Sequence, residues 1–312
     1  MKSKIYKLII TVLNILPFKK WIYQLLKSIL NDTSKFSKDL NFVGEFSIKW
    51  RNNNVLFYNY GGSLENSIFW QGLDQYEKDE NWIWNLLAEK SKIIFDIGAN
   101  TGIYSVMTKT INPNATVYAF EPSRNTFEKL VKNVKINKID VSCNQIAISN
   151  SNKETIFFDV PDEHQKSASL SPEKLKNWTG YTGEIIEYKV VCSSLDKYIE
   201  NNNITSIDLM KIDVEMHEAE VLKGFKKYLG QFKPFMMIEV LSEDIASALD
   251  KILPSKDYIK LHLKGPKHSI LLSNFLVDHE NYNYLVFHNT RIKDIQHLID
   301  DHKYLKDVLE NI

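Results

Sequence analysis

Apolar and polar residues are distributed along this chain in three regimes. In the first, an apolar run from Leu8 to Leu16 breaks at Pro17, and Phe18, Trp21, Ile22, Leu25, Leu26 and Ile29 then recur near helical spacing. In the second, short apolar stretches from Phe42 to Tyr60 flank the polar cluster Asn52, Asn53 and Asn54, which predicts a small hairpin. Phe69, Trp70, Leu73, Tyr76, Trp82, Trp84 and Leu87 follow and predict an amphipathic helix from Ser67 to Lys90.

The third regime is regular. Apolar runs of strand length, Ile93 to Ile97, Thr116 to Phe120, Val141 to Ile148, Leu209 to Val214 and Phe235 to Val240, alternate with helical stretches such as Thr126 to Val134 and Ala219 to Leu229. That alternation predicts an α/β fold, a mostly parallel sheet with helices on both faces. Tyr258 to Leu263 and Tyr282 to His288, separated by a polar stretch, predict a closing antiparallel pair. The expected organisation is a basic amphipathic segment over 1–31, a hairpin and helical extension over 32–88, and the α/β domain over 89–312.

Composition narrows the classes. A chain of 312 residues with 44% hydrophobic and 25% charged residues is an ordinary folded protein, neither disordered nor collagen-like. The 39 basic residues balance the 39 acidic ones, which excludes a general nucleic-acid binder, so no nucleic-acid partner is expected. Charge is segregated only at the amino terminus, where Lys2, Lys4, Lys7, Lys19, Lys20 and Lys27 occur without an acid in the first thirty residues. The apolar run there is shorter than the roughly 20 residues of a spanning helix and lacks a small-residue cleavage site. Residues 1–30 are therefore expected to contact a membrane surface, peripheral at its cytoplasmic face, with a helix packed on the protein body as the alternative. Cys143 and Cys192 sit in apolar contexts and read as core residues, and no Cys or His pair has metal-binding spacing, so no metal is expected.

In an open α/β sheet, ligands bind at the carboxyl ends of the strands where strand order reverses. The first strand ends in Asp96-Ile97-Gly98-Ala99-Asn100-Thr101-Gly102, whose glycines permit a tight turn and close approach of a ligand. Its spacing is neither that of a Walker loop nor G-x-G-x-x-G, which disfavours a nicotinamide dehydrogenase. Asp96 disfavours a phosphate and suits an amine-bearing or cationic ligand, while Glu121, just past the second strand, is placed to accept from ribose hydroxyls. A nucleoside with a positive amino-acid end satisfies both.

At these residues the chain resembles the class I S-adenosylmethionine-dependent methyltransferases, and within them the FkbM-type family. The resemblance rests on Phe95 through Gly102, Ala119-Phe120-Glu121-Pro122 and Lys211-Ile212-Asp213-Val214-Glu215, with further matches at Ala147-Ile148-Ser149, Ser194-Leu195-Asp196, Glu218, Val221 through Gly224, and Pro234 through Glu239. The family usually has Gly where this chain has Met216. The resemblance implies a Rossmann-like sheet and S-adenosylmethionine as cofactor, with Asp96, Gly98, Asn100 and Gly102 lining its methionine part. It also implies Glu121 on the ribose, Gln145 and Ile146 beside the adenine, and Asp213 near the reacting methyl group.

The resemblance further implies O-methylation of a hydroxyl on a sugar or a similar acceptor. A hydroxyl acceptor needs a general base, and the candidates are Asp213, Glu215, His217, Glu218 and Glu239, with Glu215 and Glu239 also able to orient sugar hydroxyls or, together with Asp213, to bind a divalent ion. The polar connection from Asp159 to Glu184 carries Trp178 and Tyr181, side chains suited to stacking on a sugar face. With the basic amino terminus this leads to a glycan or lipid-linked saccharide as the expected acceptor. Two rival readings stay open, a methyltransferase of RNA or protein and a membrane-associated binding protein that kept the fold without turnover.

Overall fold

The computed structural model describes residues 2–30, 36, 38–160, 170, 185–265 and 267–298. They fall into two compact units, one reaching to Glu77 and the other beginning at Lys78.

The first unit contains helices α1 (Lys2–Ile15) and α2 (Lys19–Ile29), strands β1 (Val43–Trp50) and β2 (Asn53–Tyr60), and helix α3 (Ser63–Gln71). Pro17 cannot extend α1, and α2 starts from Phe18 in the left-handed region at φ 59°. Strands β1 and β2 form the expected antiparallel hairpin, pairing Phe46 with Phe57 and Ile48 with Val55. Phe42, Phe46, Phe69 and Trp70 make edge-on ring contacts in its core, with Phe42 and Phe69 centroids 4.7 Å apart. The single helix expected from Ser67 to Lys90 is in fact interrupted: Gly72, at φ 85°, ends α3, and Leu73–Gln75 form a short 3-10 turn before the next helix. No helix among the described residues is long and apolar enough to cross a membrane.

The second unit opens with α4 (Lys78–Lys90), β3 (Ile93–Ile97), α5 (Ile103–Ile111), β4 (Thr116–Phe120), α6 (Arg124–Asn137) and β5 (Ser142–Asn144). It continues through β6 (Ala147–Ile148), β7 (Glu154–Asp159), β8 (Ile186–Ser193), α7 (Leu195–Asn201), β9 (Leu209–Ile212), α8 (Glu218–Lys223) and α9 (Lys226–Phe232). Strand β10 (Phe235–Glu239), α10 (Glu243–Ile252), β11 (Tyr258–His262), β12 (Ile270–Leu272), β13 (Asn283–His288) and α11 (Ile292–Leu298) complete it.

Among the described residues, eight strands form one sheet in the order β12-β11-β13-β10-β9-β3-β4-β5. The chain begins at the middle strand, β3, moves one way through β4 and β5, and resumes on the other side at β9 and β10. β13 enters antiparallel between β10 and β11, so the expected closing pair is present. The central strands are buried on both faces, as their near-continuous apolar character requires. Phe95, Ile97, Met210, Ile212 and Ile238 pack with Leu195, Val221, Leu222 and Leu249 of the helices after β8, while Ala119 packs with Leu130 of α6.

Two expectations need correcting. The run from Val141 to Ile148 is not one strand: β5 belongs to the large sheet and β6 to a separate three-stranded sheet in the order β6-β8-β7, with Gln145 and Ile146 at the crossing. The helix expected from Ala219 to Leu229 is two, broken at Gly224 and Phe225. A Cβ at Gly224 would lie 2.1 Å from the carbonyl oxygen of Ser149, so this break is a point where two backbones meet that no other residue fits.

Candidate active site

Strand order reverses between β3 and β9, and the loops leaving their carboxyl ends meet there. Gly98, at φ 79°, lies so close to the exit of β9 that an added Cβ would stand 1.7 Å from the Asp213 carbonyl oxygen. The loop is also tied to β4, because the N–H groups of Gly98 and Ala99 both donate to the carbonyl of Phe120, at 3.0 and 2.9 Å. Gly102, at φ 85°, lets α5 begin against Leu130.

Glu121 follows β4 directly. Its Oε2 accepts from the N–H of Asn100 at 3.0 Å and its Oε1 from the N–H of Ser123 at 2.9 Å. Burial pushes its carboxyl up to about 8, against the pull of those two donors. Asp96 is buried too; desolvation raises its carboxyl, while a 2.6 Å hydrogen bond from the Ser105 hydroxyl and the nearby Lys211 ammonium lower it. Asp96, Gly98, Asn100, Gly102 and Glu121 are thus tied together by these contacts, with Gly98 against the exit of β9.

A second group gathers at the carboxyl ends of β9 and β10. Lys211, buried within an otherwise apolar strand, donates to Asp213 and lies 4.6 Å from the centre of the Tyr104 ring. Glu239 ends β10; its Oε2 is sealed from solvent and has no hydrogen-bond partner among the described residues. Desolvation, reinforced by Asp213 and Glu215, holds its carboxyl well above the usual range. Glu218 is fully buried, with its carboxyl raised to about 7 by desolvation. His217 precedes α8 and turns toward the small sheet, its Nε2 being 2.9 Å from the Ser149 hydroxyl and its Nδ1 4.0 Å from Glu220.

Gln145 is exposed, and Ile146 packs against the large core. Trp178 and Tyr181 lie outside the described residues. Sequence reasoning assigned no role to Lys211, although a lysine inside a fully buried strand is itself a signal, since a buried cation needs a partner. It also missed Asp159, at the end of β7, which accepts from the hydroxyls of Ser123 at 2.7 Å and Tyr188 at 2.6 Å and so anchors the turn after Glu121. That link spans 36 residues and leaves no local pattern to find.

The donor set fits a nucleoside with a cationic amino-acid end. A carboxylate has about four acceptor positions, so Glu121 keeps capacity for ribose hydroxyls beyond its two backbone donors. Buried Asp96 and half-buried Asp213 suit a positive charge, whereas a phosphate would meet repulsion. The strand order and this loop arrangement are those of the Rossmann-like class I methyltransferases.

The chain belongs to the Methyltransferase FkbM domain family, whose match covers residues 96–260. It therefore carries a methyltransferase domain, and its methyl donor is S-adenosylmethionine. It is similar to the hexuronic acid methyltransferase AglP of Haloferax volcanii, 26% identical over 179 residues that cover 56% of this chain and 68% of that protein. It is similar also to the 2-O-methyltransferase NoeI of Sinorhizobium fredii, 26% identical over 208 residues covering 62% and 83% of the two chains. The 31-O-demethyl-FK506 methyltransferase FkbM of Streptomyces tacrolimicus is 31% identical over 156 residues, 42% of this chain; the chain spans 58% of that relative's length. The crystal structure of Methyltransferase FkbM from Methylobacillus flagellatus aligns at 16% identity over 64% of this chain and 44% of that one, with a TM-score of 0.40.

Proposed function

We propose that the chain transfers a methyl group to a hydroxyl of a sugar in a glycan or lipid-linked saccharide. The observation that carries this reading is Glu239, a carboxyl of raised proton affinity whose sealed Oε2 has no partner among the described residues, at the end of the strand beside Asp213. A carboxylate of raised proton affinity is a stronger base than an ordinary one, which suits it to take a proton from an attacking hydroxyl. The names of two relatives, a hexuronic acid methyltransferase and a 2-O-methyltransferase, support a sugar as acceptor.

When bound, S-adenosylmethionine supplies a methyl group already electrophilic on a sulfonium. The work left to the chain is orientation and proton transfer. Asp96, Gly98, Asn100, Gly102 and Asp213 hold the amino-acid end of the donor in this reading, Glu121 its ribose, and Gln145 and Ile146 flank its adenine. Lys211, donating to Asp213, holds that side chain in place. Glu215 orients acceptor hydroxyls, Glu239 removes the proton, and His217, hydrogen-bonded to Ser149, holds the loop between β9 and α8 in place. Trp178 and Tyr181 contribute stacking to the sugar. The surplus of carboxylates around Asp213 disfavours a polyanionic acceptor such as RNA. The reading carries with it a peripheral position at the cytoplasmic face of a membrane, through residues 1–30.

The test is label transfer from S-adenosylmethionine to a panel of uronic acid and neutral sugar glycosides and to lipid-linked saccharides, with the product's O-methyl position read by NMR. Methylated saccharide is the expected result; label found only on nitrogen of RNA or protein would overturn it.

A further inference from the structure

The first unit exposes large apolar side chains along its two leading helices and the turn between them. Leu8, Ile15, Phe18, Trp21, Leu25 and Ile29 on α1, α2 and the turn between them are each at least half exposed, with Ile15, Phe18 and Trp21 at 76, 79 and 73%. Tyr23 shows which side of the pair is used internally. It is buried, and its hydroxyl lies 3.1 Å from Asn14 Oδ1 and 3.2 Å from the Leu13 carbonyl, pinning α2 to α1. Residues two places away on a helix lie roughly 200° around it, so Trp21 and Leu25 face away from that contact. Phe18 holds its ring at the tip of the turn in a left-handed conformation that a non-glycine residue adopts at a cost.

The charge around this face has one sign. The first thirty residues carry six lysines and no acid. Lys27 is drawn inward, donating to the carbonyl of Phe69, and burial pushes its ammonium down. Lys7 is exposed, while Lys19 and Lys20 stand half-exposed beside the Phe18 tip. An apolar strip with a tryptophan, bordered by lysines, matches an anionic bilayer surface, which offers apolar depth and negative charge together without requiring a register. The 14 residues of α1 rise about 1.5 Å each, short of a hydrocarbon core of about 30 Å. The helices therefore suit the plane of the interface.

We propose that α1, the Phe18 turn and α2 form a docking surface for an anionic lipid bilayer. The proposal rests on the saccharide reading only for its use, since it brings the domain to a membrane-bound acceptor. Its test needs no acceptor.

The full chain is floated with vesicles of mixed phosphatidylglycerol and phosphatidylcholine and with vesicles of phosphatidylcholine alone. The expected result is binding to the anionic vesicles that drops roughly tenfold or more on pure phosphatidylcholine, and by a similar factor in a Lys19→Glu/Lys20→Glu variant. Trp21→Glu/Leu25→Glu should abolish flotation while S-adenosylhomocysteine binding stays at the parent value. No flotation by the parent, equal flotation on both compositions, or variants that float like the parent would each overturn the proposal. A dimer that the Trp21→Glu/Leu25→Glu change dissociates, without vesicle binding by the parent, would assign the face to a second copy of the chain and also overturn it. A chain that floats but methylates no saccharide would keep this surface and lose the saccharide reading.

Discussion

Glu218 Oε1 accepts from the backbone N–H of Met216 at 3.1 Å, and the same oxygen accepts from Val214 at 3.2 Å. A fully buried carboxyl thus closes the turn on which the acid cluster stands. The turn needs such a clamp, because Glu215 and Met216 are both left-handed, at φ 52° and 70°. Two consecutive non-glycine residues in that region carry strain on the order of 1 to 2 kcal/mol each. The Met216 side chain offsets part of it by packing against the large core.

Met216 should therefore respond to substitution in an unusual order. Met216→Ala keeps the left-handed strain and loses the packing, and is expected to lower stability by about 1 to 2 kcal/mol. Met216→Gly loses the same packing but relieves the strain, and should fall within about 1 kcal/mol of the parent. Urea denaturation of the three proteins checks the order; Gly less stable than Ala would mean that the turn is relaxed in solution.

Glu218 gives a pH dependence with a definite sign. Its folded carboxyl titrates at about 7, above its ordinary 4.5, so between these values the native state holds a proton that the unfolded state releases. Stability contributed by this group is complete below the lower value and is lost as pH rises through the higher one, by roughly 3 kcal/mol in total. Thermal melts from about pH 5 to pH 8 should fall more steeply for the parent than for Glu218→Gln, which cannot ionise. Parallel curves would show that Glu218 titrates normally.

In the proposed donor complex ribose hydroxyls donate to the charged form of Glu121, whose carboxyl burial pushes up to about 8. Affinity for S-adenosylhomocysteine should accordingly rise as pH increases toward that value, with proton release visible as a buffer-dependent heat in calorimetry. Glu121→Gln should flatten the dependence, and Glu121→Ala or Asp96→Ala should each weaken binding by about 1 to 3 kcal/mol. Unchanged affinity in both alanine variants would move the pocket elsewhere.

Glu239→Gln removes the proposed proton acceptor while keeping its shape. It should lower kcat by about 10²- to 10⁴-fold and leave S-adenosylhomocysteine affinity near the parent value. His217→Ala breaks the contact with Ser149 and is expected to cost less than tenfold by the same measure. The reverse ranking in single-turnover rates would make His217 the base.

The central strands of the large sheet were legible because both of their faces are buried. Ile93–Ile97 and Thr116–Phe120 lie where apolar continuity put them. Reading failed where tertiary contact overrides periodicity. The break at Gly224 serves the approach of Ser149, and the split of Val141 to Ile148 sends one half to each of two sheets, neither of which alters the local apolar pattern. At the site, Asp96 and Glu121 were visible because each stands just where a strand ends. The anchoring role of Asp159 was not, since its partners Ser123 and Tyr188 come from distant parts of the chain.

Asp159 also has a topological meaning. It is the register partner of Ile186, so the chain leaves β7 and rejoins β8 at one paired position. A one-residue slip of β7 against β8 would turn Asp159 to the other face of the small sheet and take it from Ser123, so the pairing of that sheet sets the turn beside Glu121.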